Sequence, residues 1–218
     1  MESELKEHRV LPVDLCESDL MNMCGRYHFD DTGLPLLREV YENYFRNAAV
    51  SAFFSWSGHI GDKAVVLMTL GEDVDRVQSS LMEEESLSEA YMAECIAMEL
   101  LMKAYGRGDD FLRERTGLWC GQYEFPGTGR PMEDVAEIVD SFGQEEISYN
   151  GAYMLIPKKS VAYIVPLQTK EPEVKRKQSL CAGCNRTDCE KRAGSPKELN
   201  YGYRRIFSKG GGKGCGKD

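Results

Sequence analysis

The sequence predicts an α+β domain with a mixed, partly antiparallel sheet. Three observations carry this: helical-period apolar stretches, short apolar runs too brief to be helices, and an irregular order of the two. The first helix opens at Thr32-Gly33-Leu34-Pro35, where Pro35 suits a first turn, and Leu37, Val40, Tyr41, Tyr44 and Phe45 follow on one face. Ala64 to Leu70 is a Val/Leu-rich run ending at Gly71, which reads as a buried strand. Asp73 to Met82 then has helical character. Ser86-Leu87-Ser88-Glu89 has the form of a capping box, and Leu87, Ala90, Tyr91, Met98, Leu101, Met102 and Tyr105 continue one face of a long central helix.

Gly106-Arg107-Gly108 reads as the end of that helix, followed by a mixed helical and loop segment. A strand is expected around Leu118 to Tyr123. Phe125-Pro126-Gly127-Thr128-Gly129-Arg130-Pro131 reads as a loop, with Pro131 at the start of a short helix whose buried stripe is Met132, Val135, Ile138 and Val139. Tyr153–Ile156 and Ser160–Leu167 read as strands flanking a Pro157-Lys158-Lys159 turn.

Charge divides the chain. Residues 171–218 hold twelve Lys/Arg against six Asp/Glu, which leaves fifteen against thirty in residues 1–170. We therefore read 1–170 as the domain and 171–218 as a basic, Cys- and Gly-rich tail without enough apolar residues for a second core. An acidic body argues against a protein that mainly binds nucleic acid. No long uncharged apolar run exists, so no membrane span is expected. The N-terminal Met1-Glu-Ser-Glu-Leu-Lys-Glu-His lacks a basic segment followed by an apolar one, which predicts a cytoplasmic protein. Its eight cysteines are then thiols or ligands rather than disulfides.

The strongest chemical signal is Cys181-Ala-Gly-Cys184-Asn-Arg-Thr-Asp-Cys189. A C-x2-C step lets one turn aim two sulfurs at a metal, and a third thiolate four residues on completes a face of a zinc or iron–sulfur site. Cys215, behind a glycine run, is the candidate fourth ligand. Cys120, Cys16 and Cys24 are weaker ones. Redox thiols and inert cysteines are the competing readings. Ordinary nucleophilic catalysis has no support: His8, His28 and His59 are isolated and no G-x-S-x-G elbow is present. Gly127-Thr128-Gly129 is too little for a dinucleotide fingerprint and reads as a tight turn. The Met92, Met98 and Met102 face is expected in the core.

Several segments together resemble the activation domain of vitamin B12 (cobalamin)-dependent methionine synthase and its free-standing bacterial relatives. Ala64-Val-Val-Leu-Met-Thr-Leu-Gly71-Glu-Asp-Val-Asp75-Arg76 is similar to the family's strand, glycine and Val-Asp helix entry. Tyr91 to Tyr105 resembles its long helix, Phe125 to Pro131 its Pro-Gly-Tyr-Gly loop, and Tyr153 to Val161 its Met-x-x-Pro-x-x-Ser-Val hairpin. The C-x2-C-x4-C set also recurs in free-standing relatives. The resemblance implies an accessory protein that docks on a corrinoid-binding protein, or on other methionine synthase modules, and supports reductive reactivation. Cobalamin would belong to the partner, and the Cys-ligated site would deliver electrons.

The resemblance also implies S-adenosylmethionine as methyl donor, bound in a loop of the form Arg-x-x-x-Gly-Tyr. Here the matching positions are Tyr123, Gly127 and Thr128, so only the glycine is kept. Tyr supplies neither the charge nor the fork of an Arg that pairs with a carboxylate, which leaves Arg115 or Arg130 as substitutes. The family's acidic residue on the long helix falls at Met102, with Glu99 one turn back. The alternatives are thus a donor-binding activation subunit using a rearranged loop, and a non-catalytic scaffold held by zinc.

Overall fold

The computed structural model describes residues 5–29, 32–57 and 62–171. In chain order its elements are β1 (Leu5–Pro12), α1 (Glu17–Tyr27), α2 (Gly33–Tyr44), β2 (Ala49–Trp56), β3 (Lys63–Thr69), α3 (Glu72–Glu83), α4 (Leu87–Thr116), β4 (Trp119–Cys120), β5 (Phe125–Pro126), β6 (Gly129–Arg130), α5 (Asp134–Phe142), β7 (Ser148–Tyr149), β8 (Leu155–Ile156) and β9 (Ser160–Gln168). The α+β class is as the sequence predicts. The main sheet has the order β1-β2-β3-β9-β4, and every pairing in it is antiparallel.

Both faces of this sheet are covered, and the two-residue period of the strands sorts the side chains between them. Val50, Ala52, Phe54 and Trp56 of β2, Ala64, Val66 and Met68 of β3, and Tyr163, Val165 and Leu167 of β9 join a large core with α1, α2 and α4. The intervening Phe53, Leu67 and Ala162 join a smaller core with Val135, Ile138 and Val139 of α5 and with Ile147. Strands buried on both faces read as continuous apolar runs, which explains the unbroken pattern of 64–70. Strand β1 is largely exposed and carries Lys6, Glu7, His8 and Arg9. Charges along an edge strand discourage pairing with other chains.

Helix α4 runs 30 residues, straight through Gly106 and Gly108, where the sequence reading ended it. The reason lies in packing. A Cβ on Gly108 would stand 2.4 Å from Met68 Cε and 3.3 Å from the Tyr163 hydroxyl, so this glycine lets the helix backbone approach the sheet. The expected capping box does not form. Ser86 makes no side-chain cap bond, and its backbone N–H, the donor that Glu89 would need, instead donates to Leu81 O at 2.9 Å across the tight α3–α4 junction, where Glu85 has φ +60°. Glu89 thus has no free donor to reach.

The strand expected over 118–123 shortens to Trp119–Cys120. Its partner β9 presents Pro166 there, which has no N–H for the ladder, and pairing resumes only as a bridge between Glu124 and Ile164. Helix α5 begins three residues after Pro131, and Met132 is 45% exposed rather than part of the buried stripe. Met92 is buried as expected, whereas Met98 is 38% exposed. Strand β1, helix α1 and strand β2 had no counterpart in the sequence reading.

Candidate functional site

The loop between β5 and β6 and the segment leading from β8 into β9 bracket an open cleft of about 350 Å³. Phe125, Pro126, Met132, Val135, Tyr153, Met154, Leu155, Lys158 and Ser160 are among the residues that line it. Gly127 turns the loop with φ +77°, and a Cβ there would meet Met132 Cε at 2.8 Å. Its N–H donates to Arg130 O at 3.0 Å, and the Thr128 N–H donates to Phe125 O at 3.0 Å. Thr128 itself is exposed.

Tyr123 points away from solvent. Its ring lies 5.3 Å from Tyr105, 4.8 Å from Tyr163 and 6.1 Å from Phe125, in an aromatic cluster that joins α4 to the sheet. Arg130 is engaged by two carboxylates of its own chain. Its Nε donates to Asp134 Oδ2 at 2.6 Å and its Nη1 to Glu124 Oε2 at 3.2 Å. Lys63 Nζ adds bonds of 2.9 and 2.8 Å to the two Glu124 oxygens. The Lys63 ammonium, with Arg130 behind it, holds the Glu124 carboxyl below its usual range, and Asp134 raises Arg130 further. Arg115 donates to Glu7 Oε2 at 3.1 Å and lies over the Phe111 ring.

Glu99 belongs to a different place. It is 5% exposed on α4, where Arg26 Nη1 and the Tyr27 hydroxyl, at 2.9 Å, both donate to its Oε1. Burial and the neighbouring Glu99 carboxylate push the Tyr27 phenol up. The cluster clamps the end of α1 onto α4 and contributes nothing to the lining of the cleft. Met102 packs half-buried against the main core.

The metal candidates Cys181, Cys184, Cys189 and Cys215 lie outside the described residues. The weaker candidates stand apart from one another in role: Cys120 is buried in β4, Cys16 caps α1 beside Asp19, and Cys24 is half-buried on α1. Among the described residues, no group of three or more His, Cys, Asp or Glu side chains is placed to hold one metal ion. Burial pushes the Cys95 thiol up to about 11. No helix among the described residues is long and apolar enough to cross a membrane.

The structure therefore brings Gly127, Thr128 and Arg130 to one loop beside the cleft, with Tyr123 beneath it, and leaves Glu99 elsewhere. The cleft residues Met154, Leu155 and Lys158 were not singled out from sequence as a site. Their signals were the strand and turn pattern of 153–159 and the resemblance of 153–161 to a family hairpin, which fix a position but no chemistry. Compared with known proteins, the chain matches no protein-family model and no curated protein.

Proposed function

We propose that this chain is an accessory protein for the reductive reactivation of a corrinoid-dependent methyltransferase such as methionine synthase. The observation that supports the reading best is spatial. The four segments that resemble the activation domain, far apart in sequence, are joined to one another by direct contacts. The 64–76 segment meets the 153–161 segment through the pairing of Thr69 with Ser160 and through Asp75 Oδ2, which accepts the Lys158 N–H at 2.9 Å. Lys159 Nζ of that same turn reaches Glu94 Oε1 on α4 at 2.6 Å. Further along α4, Tyr105 packs edge-on against Phe125 of the loop, with centroids 6.2 Å apart.

In this reading cobalamin remains on the partner protein. The role of the chain is to position that partner and, through the thiolates of 181–189, to supply a metal or iron–sulfur site for electron delivery. A docking role needs apolar surface. Met154, Ile156 and Met132 provide it around the cleft, exposed by 65%, 47% and 45%.

The second reading, a subunit that binds S-adenosylmethionine, finds less support. The donor's carboxylate needs a cation, yet Tyr123 is buried among rings, and Arg130 and Arg115 are already paired with carboxylates of the chain. The residues present do not fit the family's mode of donor binding. We therefore assign no methyl transfer to the loop.

The test is complex formation. Anaerobically prepared full-length chain is titrated calorimetrically into the cobalamin-loaded corrinoid module of a methionine synthase. The reading predicts saturable binding that weakens in a Met154→Glu, Ile156→Glu double variant. Absence of a complex with cobalamin in either the methylated or the cob(II)alamin state would contradict it.

A further inference from the structure

The cleft beside the 125–131 loop, whose lining includes two of the apolar residues assigned above to docking, also has a small-molecule chemistry. Its lining is mostly apolar, and its volume of about 350 Å³ sits at the lower end of the range of small-molecule pockets. Among the described residues no Asp or Glu contributes to the lining, and Lys158 is its one cation. The two neighbouring lysines differ in commitment. Lys159 is 8% exposed and paired with Glu94, whereas Lys158 is exposed and makes no ion pair among the described residues. Asp75 Oδ2 accepts the Lys158 backbone N–H at 2.9 Å and is not part of the lining. The Ser160 hydroxyl donates to Thr69 Oγ1 at 2.8 Å.

A second lining donor is also uncommitted. The Tyr153 hydroxyl makes no hydrogen bond among the described residues, while its ring stacks at 6.2 Å on Tyr149. Two donors and no carboxylate, set in an apolar hollow, match a ligand that is negative at one end and apolar over the rest. They match a zwitterion or a sulfonium less well, because the lining offers its positive charge no carboxylate.

The geometry points to a binding site for a small amphipathic carboxylate, its apolar body lying on Phe125, Met132 and Leu155 and its carboxylate meeting Lys158 and Tyr153. The site shares Met132 and Met154 with the surface proposed for the corrinoid partner, but neither its ligand nor its test involves a corrinoid, so the two readings can fail separately.

Calorimetric titration of the full chain with 4-phenylbutyrate, its uncharged amide and 4-phenylbutylamine tests it. The carboxylate is expected to bind saturably and about tenfold more tightly than the amide, the size of one charge-assisted contact. Lys158→Met should erase that preference by lowering the carboxylate's affinity to that of the amide, and its exposed position makes the variant safe for folding. Tyr153→Phe should weaken the carboxylate alone. Absence of saturable carboxylate binding, or affinities that are equal or reversed across the three probes, would overturn the assignment. So would tighter binding of S-adenosylmethionine than of the carboxylate, which would restore the donor reading.

Discussion

One methyl group added at Gly108 should destabilise the protein, although alanine is the better helix former. The substitution Gly108→Ala places a Cβ 2.4 Å from Met68 Cε, 3.3 Å from the Tyr163 hydroxyl and 3.6 Å from Phe54 Cε1. Met68 Cε is the end of a flexible side chain, but Met68, Tyr163 and Phe54 are all fully buried, so relief requires repacking inside the core rather than a swing into solvent. Overpacking of this kind costs about 1–3 kcal/mol. The gain in helix propensity returns about 1 kcal/mol, which leaves a net loss of about 1 kcal/mol. Gly106 lies on the same helix, and nothing stands within 4 Å of its Cβ position. Gly106→Ala should therefore stabilise by about the propensity term alone. For a domain of this size 1 kcal/mol corresponds to about 2–4 °C in Tm, so the two variants should move in opposite directions in a thermal melt. A Gly108→Ala variant as stable as Gly106→Ala would refute the argument that this glycine sets the distance between helix and sheet.

Three further outcomes are expected. The Glu124 carboxyl is held below its ordinary value of 4.5, so its contribution to stability is complete above that pH and is lost as pH falls through the lower folded-state value. Glu124→Gln should flatten this acid limb in denaturant melts at stepped pH, by about 0.5 kcal/mol because the pair is partly exposed. Cys95 is 3% exposed with its thiol pushed up to about 11, so mass spectrometry after native iodoacetamide treatment at neutral pH should find it modified later than Cys16. Replacing Cys181, Cys184 and Cys189 by Ser should abolish bound metal, read by elemental analysis and visible absorption, with cooperative unfolding of the acidic body unchanged; loss of the whole fold would contradict the separation of tail and body.

The elements legible in the sequence were those with strong period and clear ends. Strand β3 announced itself as a short apolar run closed by Gly71, and α2 by its stripe from Leu37 to Phe45. What sequence hid was tertiary in origin. The backbone of α4 meets Met68 and Tyr163 at Gly108, so a residue that breaks isolated helices became the packing residue of the longest one. Strand β1 escaped because an edge strand with charged residues has no apolar alternation to read. The candidate site divides in the same way. Turn chemistry in 125–131 located the loop, and Gly127 does adopt the positive φ that such a turn needs. The partners of Arg130, and the isolation of Glu99 with Arg26 and Tyr27, depend on residues from other elements and had no local signature.

The reactivation reaction itself tests the account most directly. A corrinoid-dependent methyltransferase poised as cob(II)alamin is mixed anaerobically with reductant and the full-length chain, and the cob(II)alamin signal is followed by electron paramagnetic resonance alongside recovery of methyl transfer. The account predicts that the chain accelerates both, and that the variant with Cys181, Cys184 and Cys189 replaced by Ser does not. Equal rates with and without the chain, in the presence of a complex shown to form, would contradict a role in reactivation.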